Sequence, residues 1–150
     1  MSQQDWGRQD WRLNSETEIV VDVPVARLWA ALTDAEEAQR YFMGARVTTG
    51  DVGEAYRVER GDGWRVSGIV LVKDAPHRLR VTWGIKAPAG VAMPNCEVEY
   101  RVEPADALQV VVQSKLTIRE YIDGPLPPHL ADAGRSGWAM IARNLKAYLG

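Results

Sequence analysis

The chain has 150 residues, of which 46% are hydrophobic and 25% charged, and a formal net charge of −2. That length suits a single domain able to bury about 70% of its unfolded surface, and the composition excludes disordered and fibrous classes. A charge so near zero provides no field to gather nucleic acid or an anionic membrane, so neither is expected as a partner.

Residues 1–16 are polar apart from Trp6 and Trp11 and read as an N-terminal arm whose two indoles are expected to dock on the surface of a domain spanning 17–150 or of a symmetry partner. Over 17–23, Thr17, Ile19, Val21 and Val23 alternate with Glu18, Val20 and Asp22, the period of a strand. Pro24 ends that strand and suits the first turn of a helix, on which Val25, Leu28, Trp29 and Leu32 fall at helical spacing. Asp34 with Glu37 three positions on has the capping-box form and predicts a second short helix reaching about Tyr41.

Strands are then predicted over 43–48, 54–60, 64–73, 78–85, 95–103 and 107–118, an antiparallel meander whose turns carry Gly50, Gly53, Gly61, Gly63, Pro76 and Pro104. In the fourth of these Leu79, Val81, Trp83 and Ile85 share one face, which aims a large aromatic inward. In the fifth Cys96, Val98, Tyr100 and Val102 face the core, while Glu97, Glu99, Arg101 and Glu103 are expected to face water. The connection at 86–95 is longer than a hairpin needs and carries Pro88, Gly90 and Pro94. Pro125, Pro127 and Pro128 then precede a helix predicted over 130–149, with Leu130, Gly134, Gly137, Trp138, Ile141, Leu145 and Tyr148 on one stripe. About 20 helical residues make a rod of ~30 Å, long enough to lie across a sheet. Successive turns of a meander alternate between ends, so the connections at 61–63, 86–94 and 119–128 are expected to share one end and to form the mouth of any cavity.

The ordered set Pro24, Leu28-Trp29, Leu32-Thr33-Asp34, Gly68 with Val70, Pro76, Arg78-Leu79, Thr82-Trp83 and Gly137-Trp138 with Leu145 resembles the AHSA1-like family. That family is named for the activator of the Hsp90 ATPase and is similar to START/Bet v 1-like (SRPBCC) domains. The resemblance covers 17–149 and implies an α+β helix-grip fold, a curved antiparallel sheet wrapped around a long C-terminal helix and enclosing a cavity. The functions it implies range over co-chaperones, binders of lipids and small molecules, and polyketide cyclases, so fold does not by itself choose among them.

Cys96 is the only cysteine, so no internal disulfide can form, and with no apolar leader or membrane-length run a cytoplasmic location is expected. His77 and His129 stand far apart with no ligand spacing around them, and neither a nucleophile elbow nor a phosphate loop is present; no metal and no cofactor is expected. The aromatic residues Trp29, Tyr56, Trp83, Tyr100 and Trp138 can all point inward, joined by parity or helical spacing by Val98, Val112 and Ile141. Gly134 and Gly137 remove side-chain volume from the helix stripe that would plug the sheet, which leaves either a cavity or close packing. The leading expectation is binding of a small hydrophobic or amphipathic molecule. A co-chaperone-like interaction module with a protein partner, a homodimer, and a cyclase-like enzyme moving a proton through a tyrosine or His129 stay open.

Overall fold

Apolar residues at every second position commit eight segments of the chain to strands, most with one buried face, and the strands pair into one open antiparallel sheet. The computed structural model describes residues 11–85, 94–108 and 110–150. In chain order the elements are β1 (Trp11–Val21), α1 (Val25–Thr33), α2 (Ala35–Ala38), β2 (Arg46–Thr49), β3 (Ala55–Glu59), β4 (Arg65–Asp74), β5 (Arg78–Thr82), β6 (Gly84–Ile85), β7 (Asn95–Pro104), β8 (Ser114–Asp123) and α3 (Pro128–Leu149). The sheet order is β1-β8-β7-β5-β4-β3-β2, with β6 paired to β4. Among the described residues no helix is long and apolar enough to cross a membrane.

The helix α3 lies beside β1 and runs in the same direction. Near its start Asn14 contacts it, donating from Nδ2 to the Ala131 carbonyl at 3.3 Å, and at its end Lys146 Nζ donates to the Val20 carbonyl at 2.7 Å. Its inner stripe of Ala131, Trp138, Ile141, Ala142 and Leu145 is buried against the sheet. The short helices α1 and α2 contribute Leu28, Ala31, Leu32 and Ala38 to the same core. At the start of α2 the Asp34 carboxylate accepts from the backbone N–H of Glu36 and of Glu37, both at 2.9 Å, which satisfies donors that the first turn leaves free.

Four elements differ from expectation. The first strand begins at Trp11, because β8 supplies pairing partners along that length; residues 11–16 of the expected arm thus belong to the sheet, while Trp6 lies outside the described residues. The strand expected from residue 43 begins at Arg46, after a reversal in which Met43 (φ 55°) and Gly44 (φ 79°) are both left-handed. The run 78–85 is divided into β5 and β6. Gly68 explains the crowding there, since a Cβ on it would lie 1.9 Å from the Thr82 carbonyl oxygen, a distance no side chain can occupy.

The fourth difference is the largest. The strand expected over 107–118 forms at Ser114–Asp123, shifted toward the C-terminus. The Asp106 carboxylate accepts from the backbone N–H of Leu108 at 3.0 Å, Val110 at 3.0 Å and Val111 at 3.2 Å, which folds this valine-rich run into a loop. Val112, expected to point inward, is 61% exposed on that loop.

The outer face of the central strands also departs from the expectation of solvated glutamates. Glu97 and Glu99 are 3% and 1% exposed. Arg78 and Arg101 donate through Nε to the two oxygens of Glu99 at 2.7 and 2.8 Å, and Arg80 donates to Glu97 at 2.7 Å while lying over the Tyr121 ring at 4.5 Å. The long arginine stems cover the shorter carboxylates and keep their own ends toward water. Burial alone would raise the Glu99 carboxyl, but the hydrogen bonds from Arg101 and Arg78 outweigh it and hold the group below its usual range.

A group with a depressed folded-state pKa contributes stability that is complete above the unfolded value and is lost as pH falls through the folded value. Glu99→Gln should therefore destabilise the protein by about 3 kcal/mol near neutral pH, since it strands guanidinium groups beside a buried amide. That deficit should shrink as pH falls below the usual carboxylate range, measured by urea unfolding at each pH. A deficit constant across the range would contradict this account of Glu99.

Candidate functional site

Between the sheet and the N-terminal half of α3 lies a cavity of about 970 Å³. Its floor is an aromatic cluster that the sheet, the α2–β2 connection and the helix build together. Trp138 of α3 stands 5.0 Å from Trp83 between ring centroids, and its ring meets Phe42 edge-on at 6.0 Å. Gly134, Gly137 and Ile141 continue the helix wall, and Cys96, Glu120 and Ile122 supply the sheet wall. Arg60 and Trp64, which flank the turn at 61–63, line the cavity together with Pro94, Leu126 and Leu130; residues 86–93 of the long connection lie outside the described residues.

Five of the ten residues expected at a ligand surface line this cavity: Trp83, Gly134, Gly137, Trp138 and Ile141. Tyr56, Val98 and Tyr100 are buried in the core and do not reach it. The tyrosines lie behind the aromatic floor, with Tyr56 6.0 Å from Trp83 and Tyr100 6.0 Å from Trp138. Trp29 packs half-buried on the outside of the core, and Val112 is on the exposed β7–β8 loop. Trp11, expected on the surface, lines the cavity from the start of β1.

The groups expected to move a proton stand apart from the cavity. The Tyr56 and Tyr100 hydroxyls lie 3.4 Å from each other. Burial pushes Tyr56 up to about 12 and Tyr100 well above its ordinary value, so both stay protonated. His129 is exposed on the first turn of α3 and His77 is exposed with its Nδ1 3.0 Å from the Val102 carbonyl. Cys96 does line the cavity, but burial, followed by the nearby charges of Glu120 and Glu97, pushes its thiol far up, which keeps it a poor nucleophile. Among the described residues no group of three or more His, Cys, Asp or Glu side chains is arranged to hold a metal.

Phe42 and Glu120 are among the lining residues that went unread in the sequence. Phe42 is the only phenylalanine of the chain and is turned inward by the left-handed Met43 and Gly44 that follow it, a backbone feature no periodicity reveals. Glu120 had a legible signal, because it shares the inward parity of Leu116, Ile118 and Ile122 and is the one acid in that stripe. It is 7% exposed and accepts from Asn14 Nδ2 at 2.7 Å and from Trp138 Nε1 at 3.4 Å. Asn14 reaches it because the β1–β8 register slips between Leu13 and Ser15, and the extra residue of that bulge is Asn14 itself.

A curved, unclosed antiparallel sheet holding a C-terminal helix, with a cavity between them, is the helix-grip architecture of START/Bet v 1-like domains. The family described as activator of Hsp90 ATPase homolog 1-like protein matches residues 22–150, and the chain belongs to that family. Among solved structures, DynU16, from the dynemicin biosynthetic locus, is similar with a TM-score of 0.74 at 24% identity over 94% of this chain, which spans 47% of that protein. CalU16 from Micromonospora echinospora is similar with a TM-score of 0.68 at 20% identity, covering 90% of this chain and 74% of that one. An Hsp90 activator from Plasmodium falciparum is similar with a TM-score of 0.66 at 19% identity, covering 90% of this chain and 96% of that one. At these identities the likeness is one of fold. No curated protein matches the chain.

The two helix glycines make opposite predictions. A Cβ on Gly137 meets nothing within 4 Å, whereas one on Gly134 would lie 2.9 Å from Glu120 Oε1 and 3.3 Å from Oε2. Gly137→Ala should therefore stabilise the protein by up to ~1 kcal/mol through helix propensity alone. Gly134→Ala should fall below it by about 1 kcal/mol or more, because the carboxylate it displaces is pinned by Asn14 and Trp138. Thermal unfolding of the two variants checks the order, and equal gains would contradict it.

Proposed function

We propose that the chain binds a small hydrophobic or amphipathic molecule in the cavity between the sheet and α3. The observation that carries this reading is the open space in front of Gly137, within a cavity of about 970 Å³ whose floor is Phe42, Trp83 and Trp138. An interior of ordinary density leaves no such volume, and apolar walls with few polar groups are the usual make-up of a small-molecule site. Affinity would come chiefly from apolar burial at roughly 25 cal/mol per Å².

Neutral 1-methylpyrene tests the reading, since it quenches tryptophan emission by energy transfer when held beside Trp83 and Trp138. One saturable site is expected. Gly137→Leu should keep the melting temperature of the parent or raise it while weakening methylpyrene binding by about tenfold or more, because the new side chain occupies the space the probe needs. Absence of saturable binding, or unchanged binding in a folded Gly137→Leu, would overturn the proposal.

A second reading, a protein-interaction module of the co-chaperone kind, is favoured by one separate observation. The β7–β8 loop exposes Leu108 (82%), Val110 (78%), Val111 (53%) and Val112 at the sheet end remote from Asn95 and Asp123, held in shape by Asp106. Large apolar side chains exposed together on one loop suit an interaction surface. The double variant Leu108→Ser, Val111→Ser should change stability by less than about 0.5 kcal/mol and leave methylpyrene binding intact. Calorimetric titration against Hsp90, the partner in the family's name, is expected to show binding by the parent that the double variant loses. No heat from the parent would exclude this second reading for Hsp90.

A further inference from the structure

Glu120 is an incompletely satisfied carboxylate on the wall of a mainly apolar cavity. An ionised carboxylate can accept about four hydrogen bonds. Glu120 receives one short bond, from Asn14 Nδ2 at 2.7 Å, a long one from the Trp138 indole at 3.4 Å, and a weak thiol contact from Cys96 at 3.9 Å. All three donors are neutral. Among the described residues the only cation lining the cavity is Arg60, and its guanidinium is bound to Asp62 at 3.2 and 2.9 Å and stacked over Trp64 at 4.9 Å.

The contrast with the other face of the same strands is informative. There Glu99, 1% exposed and away from the cavity, has arginine partners in Arg78 and Arg101. Burying a carboxylate without a cation is costly, and among the described residues Glu120 has amide, indole and thiol donors but no arginine. The missing partner is on the cavity side, where Trp83 and Trp138 present aromatic rings that attract cations as well.

We propose that Glu120 is the polar anchor of the cavity and that the molecule bound there is an aromatic amine, a fused or linked apolar ring system carrying a protonated nitrogen. The rings fill the space before Gly137 and the ammonium donates to Glu120. This rests on the ligand-binding reading above. Asn14 is a positioning residue, since it fixes one carboxylate oxygen through the β-bulge and is itself held by Arg135, whose Nε donates to the Asn14 carbonyl at 3.0 Å.

A probe series on one ring system separates this inference from the reading beneath it: 1-pyrenemethylamine (cationic), 1-pyrenemethanol (neutral donor), 1-methylpyrene (no donor) and 1-pyreneacetate (anionic), each titrated by tryptophan quenching. The parent should bind the amine about tenfold or more tightly than methylpyrene, as a charge-assisted hydrogen bond supplies, with pyrenemethanol between them and pyreneacetate weakest. Glu120→Gln should reduce the amine-to-methylpyrene ratio to near unity. Glu120→Leu, which completes the apolar stripe of β8 and needs no polar partner, should do the same and serves if the amide variant does not fold. Equal affinity of the parent for amine and methylpyrene, a preference for pyrenemethanol over the amine, or a ratio that survives both substitutions overturns the anchor and leaves the apolar site standing. Failure of every probe to bind the parent overturns both.

Discussion

The contact on which the rest of the structure depends is the seat of Trp138. From the middle of α3 it touches Phe42, Trp83 and Tyr100, with centroid separations of 6.0, 5.0 and 6.0 Å, so one indole joins the helix to the α2–β2 connection, the β5–β6 junction and β7. Beyond it toward the C-terminus Ile141, Ala142 and Leu145 pack directly on the sheet. Before it the stripe reads Gly134 and Gly137, and a Cβ on Gly137 would meet nothing within 4 Å. The ring thickness that anchors the helix thus also props it, and the cavity is the space on the unfilled side of that prop.

The same strands solve two electrostatic problems in different ways. On the outer face, arginines on β5 and β7 cover Glu97 and Glu99, an arrangement in which each buried charge has an opposite one and the long stems keep water from both. On the inner face, Glu120 is held by a side-chain amide delivered through a bulge and by an indole N–H that belongs to the anchoring tryptophan. Trp138 therefore ties cavity shape to cavity polarity: moving it would disturb the aromatic floor and the acid together. The tyrosine pair behind the floor, with hydroxyls 3.4 Å apart and both pushed toward the protonated state, is a structural device that keeps two large rings satisfied in the core.

Element order, the period-two strands, the capping of α2 by Asp34 and the inner stripe of α3 were legible in the chain because each depends on residues near one another in sequence. So was the family resemblance over most of the domain, and with it the helix-grip fold. Trp83, Trp138 and Ile141 could be placed at the cavity for the same reason, since strand parity and helical spacing assign a side chain to a face. Which inward residues line the cavity and which fill the core could not be read, because Tyr56, Val98 and Tyr100 have the same parity as Trp83 and differ from it only in depth.

Three features were decided by tertiary structure. The valine-rich run after Pro104 has strand composition, yet the Asp106 carboxylate captures its N–H groups and the strand forms further on, where β1 and β7 both offer partners. Glu97 and Glu99 look solvated in sequence, yet neighbouring strands bring arginines over them. Glu120 acquires its character from a bulge in one strand, an indole on a distant helix and the volume two glycines leave open. Local periodicity determines which way a side chain points; what it meets there is set by strand register and helix placement, and these bring together residues more than a hundred positions apart, such as Asn14 and Glu120.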